Sequence, residues 1–140
     1  MSTALKSASS SVDLERAARA AAKHAYAPYS EFRVGAAVLA GSGALYSGCN
    51  VENASFGLTC CAERNASFAA VAAGESTLAA VVVYTPTPQP TPPCGACRQV
   101  IAEFGPTARI VSICDGAERI ETTLPKLLPG RFAQKNLRRT

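Results

Sequence analysis

The chain has 140 residues, 48% of them apolar, with no tryptophan and a formal net charge of +4. This length predicts one domain, residues 1–140, with a core that needs no disulfide staples. The positive charge is mild and lies partly in the C-terminal tail, so we expect no nucleic-acid partner. The N-terminus lacks the apolar region of a signal peptide, and no apolar stretch is long enough to span a bilayer. We therefore expect a cytoplasmic protein without a membrane partner.

The first half of the chain predicts a helix followed by a β-hairpin. From Leu14 to residue 25, alanines recur at helical spacing, and Pro28 ends the pattern. The apolar, partly β-branched run 32–40 predicts a strand. A Gly-Ser-Gly turn follows, and residues 44–49 predict the returning strand.

The second half predicts alternating helices and strands. In chain order these are a helix at 61–73, strands at 78–84 and 108–113 flanking a helix at 95–104, a short strand at 119–121 and a helix at 123–128. The run LAAVVVY is almost uninterrupted in its apolar character, which favours a strand covered on both faces. The loop TPTPQPTPP has the composition of a linker, but it leads directly into a cysteine pair and neither flank is a domain alone. We expect one α/β domain, with flexible tails at about 1–10 and 134–140.

Two cysteine motifs stand at predicted helix starts. PCGAC carries Cys94 and Cys97, and CAER carries Cys61 and Glu63. A helix N-terminus favours thiolate over thiol because of its free N–H groups and dipole. The pair Cys94 and Cys97 alone could be a disulfide, a redox dithiol, or half of a structural or catalytic zinc site. Its position late in the chain, after a proline-rich loop, argues against the redox alternative.

A third cysteine ahead of the pair favours a zinc site. A structural zinc takes four protein ligands, whereas a catalytic zinc keeps one position for water. Three cysteines, with an acid two residues from one of them, form the arrangement of zinc deaminases. Cys60 could close a four-ligand site instead, which would make the chain a zinc-stabilised binding module. We interpret Cys49, Cys60 and Cys114 as buried filler, and we expect His24, the sole histidine, to be exposed or half-buried.

Five stretches extend this pattern along most of the chain. They are AYAPYSEFRVGAA at 25–37, GCNVENASFG at 48–57, CAER at 61–64, PCGACRQV at 93–100 and LLPGRF at 127–132. In this order and spacing they resemble the small, zinc-dependent cytidine deaminases that act on free nucleosides. The resemblance implies a three-layer α/β/α fold with a mixed five-stranded sheet, one Zn²⁺ per subunit and a homotetramer. It also implies hydrolytic deamination of cytidine and 2′-deoxycytidine to uridine and 2′-deoxyuridine in pyrimidine salvage.

The same resemblance implies roles for residues around the metal. The zinc ligands would be Cys61, Cys94 and Cys97. Glu63 would move a proton from water to N3 of the pyrimidine and then to the leaving amine. Three thiolates around Zn²⁺ leave a net negative charge, and Arg64 is expected to offset it by hydrogen-bonding a thiolate. Gln99, or the N–H groups of the helix that follows Cys94, would do the same.

The resemblance also implies a substrate-binding set. Asn50 and Glu52 would hydrogen-bond the ribose 3′-hydroxyl, since residues two apart on a strand face the same side. Phe32 would pack beside the base, and backbone groups of Ala62 would bind the pyrimidine edge. Tyr29 and Phe132 would contribute across a subunit interface. The acidic Glu52 disfavours a 3′-phosphate, so a free nucleoside is favoured over a polynucleotide. A deaminase of another amino-heterocycle stays open as an alternative.

Overall fold

The computed structural model describes residues 10–138 and contains helices on both faces of one sheet. The helices are α1 (Ser11–Ala22), α2 (Ala62–Ala72), α3 (Gly95–Phe104) and α4 (Leu124–Leu127). The strands are β1 (Gly35–Ala40), β2 (Leu45–Cys49), β3 (Leu78–Tyr84), β4 (Arg109–Ile113) and β5 (Ile120–Thr123). Single 3₁₀ turns occupy Phe56–Leu58 and Gln134–Leu137.

The sheet is mixed and has the strand order β2-β1-β3-β4-β5. β1 pairs antiparallel with β2 and with β3, so that Gly35 lies opposite both Cys49 and Tyr84. β3 and β4 run parallel, joined by the crossover that contains α3, and β5 returns antiparallel to β4. The prediction of a three-layer α/β fold around a mixed five-stranded sheet is confirmed.

Alternate residues of the central strands divide the core into two apolar layers, as the period of a strand requires. The layer under α1 contains Leu14, Ala18, Ala37, Ala80, Val82, Val111 and Ile113. The layer under α2 and α3 includes Ala36, Val38, Val81, Val83, Ala66, Ala70 and Ile101. The strand LAAVVVY is therefore covered on both faces, as its composition predicts.

Two glycines allow helices to lie directly on the sheet. A Cβ on Gly35 would stand 1.9 Å from the carbonyl oxygen of Ala18 in α1. A Cβ on Gly48 would stand 2.5 Å from the backbone nitrogen of Ala66 in α2. Both distances are far inside van der Waals contact, so glycine sets how closely each helix approaches. The second contact fixes the height of α2, whose first turn carries CAER.

Two predicted boundaries are wrong. The strand predicted at 32–40 begins only at Gly35, because the side chain of Asn50 occupies the backbone hydrogen-bonding groups just before it. Asn50 Oδ1 accepts from the Val34 N–H at 2.9 Å, and Asn50 Nδ2 donates to the Phe32 carbonyl at 2.7 Å. The first helix ends at Ala22, so His24 lies after it and is exposed.

The segments expected to be flexible tails lie partly outside the described residues. Residues 1–9 and 139–140 lie outside the described part of the chain. Ser10 caps α1 by accepting from the Asp13 N–H at 3.2 Å, while the Asp13 carboxylate accepts from the Ser10 N–H at 3.0 Å. Gln134–Leu137 form a 3₁₀ turn. Within residues 10–138, no helix is long and apolar enough to cross a membrane.

Candidate active site

The starts of α2 and α3 bring three cysteine sulfurs together. Cys61 is the N-cap residue of α2 and Cys94 that of α3, while Cys97 follows in the first turn of α3 and is fully buried. The Sγ atoms of Cys61 and Cys94 are 3.9 Å apart, and those of Cys94 and Cys97 are 3.5 Å apart. All three sulfurs lie within 4.8 Å of one another. Two helix starts that are 33 residues apart in sequence therefore converge on one point.

The sulfur geometry fits a zinc ion. With Zn–S bonds of about 2.3 Å, two sulfurs of a tetrahedral site stand about 3.8 Å apart. The two measured separations, 3.5 and 3.9 Å, lie on either side of that value. Each cysteine is free rather than disulfide-bonded. The donor set is three soft thiolates, which suits Zn²⁺ and leaves a fourth position for another ligand.

Among the three cysteines, Cys61 is the one whose thiolate form is stabilised most by its neighbours. Hydrogen bonds from the Cys97 thiol and from Arg64 lower the pKa of Cys61 to about 5. Arg64 Nη2 donates to the sulfur at 3.4 Å. Conversely, the hydrogen bond to Cys61 and burial raise the pKa of Cys97. A cation therefore lies against the ligand that carries the negative charge, in the place expected for Arg64.

Glu63 lies beside the sulfurs and is almost fully buried. It occupies the first turn of α2, two residues after Cys61, and is 5% exposed. Burial raises the pKa of Glu63 to about 7. A carboxyl whose pKa lies near neutrality can both accept and return a proton, which is the requirement for a general acid–base group.

A cavity of about 160 Å³ opens over these groups. Five residues expected in the site line it, namely Phe32, Asn50, Cys61, Glu63 and Cys94. The walls are mainly apolar, with Glu63 and the thiols as the reactive groups. A planar ring can therefore be held against Phe32 while its polar edge meets Glu63.

A second, more open cavity of about 350 Å³ adjoins the first through Thr59, which lines both. It contains Tyr29, Ser30, Glu52 and Phe56. The rings of Tyr29 and Phe56 meet edge to face, with centroids 5.7 Å apart. Glu52 therefore lies at the outer cavity, next to the cavity that contains Glu63.

The remaining expected site residues lie as follows. Ala62 is fully buried at the start of α2. Phe132 is 59% exposed, and its side chain extends from the C-terminal segment. Gln99 differs from expectation, because its Nε2 donates to the Phe132 carbonyl at 2.9 Å and so holds the C-terminal segment to α3. The expectation that Gln99 hydrogen-bonds a thiolate is corrected accordingly.

Sequence reasoning missed six lining residues of the inner cavity. These are Val34, Thr59, Val83, Thr85, Thr91 and Pro92. Alternation on β3 could have found two of them, since Val83 and Thr85 face one side while Tyr84 faces the other. Thr91 and Pro92 belong to the proline-rich loop, whose composition alone suggested only a linker.

The other cysteines take different positions. Cys114 is buried and donates towards the carbonyl oxygens of Glu118 and Pro88, at 3.3 and 3.5 Å. Cys49 and Cys60 are half-buried rather than buried. Burial raises the pKa of the Cys60 thiol, which makes it a poorer metal ligand than Cys61.

Comparison with known proteins agrees with the site. Residues 8–114 match the family described as the cytidine and deoxycytidylate deaminase zinc-binding region. The chain belongs to this family. A cytidine deaminase of Sporosarcina psychrophila is 49% identical over 118 residues, which cover 84% of this chain and 87% of that protein. One from Halalkalibacterium halodurans is 47% identical over 114 residues, covering 81% and 86% of the two chains.

A solved structure gives the same result for the fold. The crystal structure of cytidine deaminase from Burkholderia pseudomallei superposes with a TM-score of 0.84 at 47% sequence identity. The match covers 89% of this chain and all of that one. The zinc-binding region of the family includes Cys61, Cys94 and Cys97, so the metal cluster lies inside the matched residues.

Proposed function

We propose that this chain deaminates cytidine and 2′-deoxycytidine hydrolytically, giving uridine and 2′-deoxyuridine in pyrimidine salvage. Family membership and the relatives named cytidine deaminase support this substrate class. The observation that carries the proposal is the position of Glu63, buried in the same small cavity as Cys61 and Cys94. Pyrimidine salvage would place the reaction in the cytoplasm.

Glu63 moves the protons of the proposed reaction. Its carboxylate takes a proton from the attacking water and delivers it to N3 of the pyrimidine, while the water oxygen bonds to C4. Glu63 then carries the second water proton to the exocyclic amine, the C4–N4 bond breaks and ammonia leaves. Cys61, Cys94 and Cys97 would hold the zinc ion, which would supply the Lewis acidity that lowers the pKa of the water.

The two cavities divide the substrate between them. We place the pyrimidine ring in the inner cavity beside Phe32, with backbone groups of Ala62 at its polar edge. The ribose lies near Thr59, between Asn50 of the inner cavity and Glu52 of the outer cavity, and the Glu52 carboxylate accepts a hydrogen bond from the 3′-hydroxyl. A phosphate in place of this hydroxyl would meet the negative charge of Glu52 directly, so the substrate is a free nucleoside.

We further propose that four copies of the chain form a homotetramer. Large apolar side chains are exposed around the outer cavity and at the C-terminus, including Tyr29, Phe56, Leu58 and Phe132 at 48–73%. Apolar surface of this extent at a binding site is typical of a face covered by another protein surface. Tyr29 and Phe132 would then line the site of a neighbouring subunit.

The decisive experiment measures cytidine turnover and zinc content of wild type and Glu63→Gln together. We expect ammonia release by wild type, and a loss of at least about 10²- to 10⁴-fold in kcat for Glu63→Gln at full zinc occupancy. Glu103→Gln, an exposed acid on α3, is the matched control and should keep wild-type activity. Failure of zinc-loaded wild type to deaminate either nucleoside would refute the substrate assignment. Unchanged turnover in Glu63→Gln would refute the proton-transfer role.

A further inference from the structure

The carboxylate of Glu52 is held by two consecutive residues. Its Oε1 accepts from the backbone N–H groups of Tyr29 and Ser30, at 2.9 and 3.1 Å. Its Oε2 accepts from the hydroxyl of Ser30. Glu52 itself is buried although this loop is exposed. The acid expected to bind the sugar is thus fixed in place by the loop that precedes Phe32.

The direction of the Ser30 hydroxyl is fixed by a second contact. The backbone N–H of Phe32 donates to Ser30 Oγ at 3.0 Å, so the oxygen accepts from the loop and its proton is free to point at Glu52. Glu31, between the two, has a φ of 58°, in the left-handed region that residues other than glycine seldom adopt. This turn brings the Phe32 N–H back towards Ser30. The Ser30 hydroxyl therefore links Glu52, which is expected to bind the sugar, to Phe32, which is expected to pack beside the base.

The three bonds leave Glu52 one acceptor position. A carboxylate offers about four lone-pair sites, and two on Oε1 and one on Oε2 are filled. The remaining site on Oε2 can accept from one further O–H or N–H donor. Its direction is set by the Ser30 proton that fills the other site on the same oxygen.

We propose that Ser30 is a positioning residue that aims Oε2 of Glu52 at the sugar 3′-hydroxyl and thereby sets the preference for nucleosides carrying that hydroxyl. This inference rests on the proposed function, since it places the ribose at Glu52. Ser30 lines the outer cavity only, whereas Glu63 and the thiols line the inner one. Loss of the Ser30 hydroxyl should therefore change sugar binding and KM much more than kcat.

The chain contains a closely matched control serine. Ser42 Oγ donates to Glu75 Oε2 at 2.9 Å and accepts from the backbone N–H two residues later, Ala44, at 3.3 Å. This repeats the contacts of Ser30 in the β1–β2 turn, away from both cavities. Ser42→Ala thus removes the same kind of hydroxyl bridge without touching the site.

The test uses zinc-loaded, full-length wild type, Ser30→Ala, Ser30→Thr and Ser42→Ala. Calorimetry gives Kd for uridine and for 3′-deoxyuridine, and kinetics give kcat and KM for cytidine. In wild type we expect uridine to bind at least about tenfold more tightly than 3′-deoxyuridine, since a hydrogen bond to a charged acceptor is lost. In Ser30→Ala this ratio should fall towards one, and KM for cytidine should rise about tenfold with kcat within about threefold. Ser30→Thr, which keeps a hydroxyl, should restore the wild-type ratio.

Several results would overturn the proposal. A wild-type ratio retained in Ser30→Ala refutes it, and so does an equal fall of the ratio in Ser42→Ala. If Ser30→Ala does not fold, Ser30→Gly replaces it, since it also lacks the hydroxyl. The ratio of the Kd values for 3′-deoxyuridine and uridine is then measured in that variant. Calorimetry separates this proposal from the proposed function. If wild type prefers uridine over 3′-deoxyuridine but leaves cytidine unchanged, the proposed reaction is refuted. The binding ratios of the Ser30 variants then still test the role of Ser30. Wild type that binds neither compound and leaves cytidine unchanged refutes both.

Discussion

Arg64 Nη2 lies 3.4 Å from Cys61 Sγ, one helical turn along α2 from the cysteine that begins the helix. The residue spacing of CAER therefore builds both the metal ligand and its counter-charge into the same turn. Glu63 stands between them in sequence and faces the cavity. One turn of helix supplies a metal ligand, a buried carboxyl group and a cation.

Removing the cation should weaken metal binding. We expect Arg64→Gln to raise the Kd for zinc by about 10- to 100-fold, because a negative thiolate cluster loses its hydrogen-bond donor. Competition with a chromophoric chelator measures this Kd. Arg16→Gln, an exposed arginine of α1, should leave zinc affinity unchanged. Equal affinities in wild type and Arg64→Gln would contradict the charge-compensation role.

Two buried cysteines should respond differently to the same substitution. Cys97→Ser removes a thiolate from the sulfur cluster and should lower zinc content well below one per chain, with loss of activity. Cys114→Ser should retain zinc, because a serine hydroxyl can donate to the same carbonyl oxygens. Metal analysis of both purified variants tests this. Equal zinc loss in the two would show that the effect comes from general damage to the core.

Glu52 should contribute to stability in a pH-dependent way. Hydrogen bonds from Ser30 and Tyr29 lower the pKa of Glu52. The unfolded chain has a pKa of about 4.3 at this residue, so the folded state favours the ionised form and the contribution is complete above that value. It is lost as the pH falls through the lower folded pKa.

Urea unfolding of wild type and Glu52→Gln at matched pH isolates this contribution. We expect the difference in the free energy of unfolding between the two proteins to be largest near pH 7 and to shrink below about pH 4. The metal contribution, common to both proteins, cancels at each pH. A difference that stays constant from pH 7 to pH 3 would show that Glu52 gains nothing from being ionised.

The close approach of α2 to β2 predicts a steric effect at Gly48. A methyl group there would lie 2.5 Å from the Ala66 nitrogen, on backbone that cannot swing aside. We expect Gly48→Ala to destabilise the fold by about 3 kcal/mol, the upper end for overpacking. Thermal unfolding measures the change. Gly57→Ala is the control, since a Cβ at Gly57 meets nothing within 4 Å, and it should leave the melting temperature nearly unchanged.

The layered sheet could be predicted well because apolar runs and helical spacing are local patterns. The uninterrupted apolar run at 78–84 forms a strand, and the alanines after Leu14 lie on a helix, as predicted. The metal cluster was also foreseeable, since Cys61 and Cys94 each precede a helical pattern. Spacing in sequence could not give the sulfur separations, which depend on how α2 and α3 are packed.

Side-chain to backbone bonds were the main source of error. Asn50 replaces strand pairing at Phe32 and Val34, and no hydropathy pattern records such competition. Gln99 likewise takes a carbonyl of the C-terminal segment instead of a sulfur. The link from Ser30 to Glu52 joins residues far apart in sequence, so only the folded chain reveals it.

The two helix starts that carry Cys61 and Cys94 give the metal a second role. An ion bound to both would be a covalent-like cross-link between α2 and α3, closing a loop that contains all of β3. Such a closure would restrict the unfolded chain much as a disulfide does. Removing the metal with a chelator would then lower the stability of the fold as well as the activity. Proteolysis of the proline-rich loop would become faster.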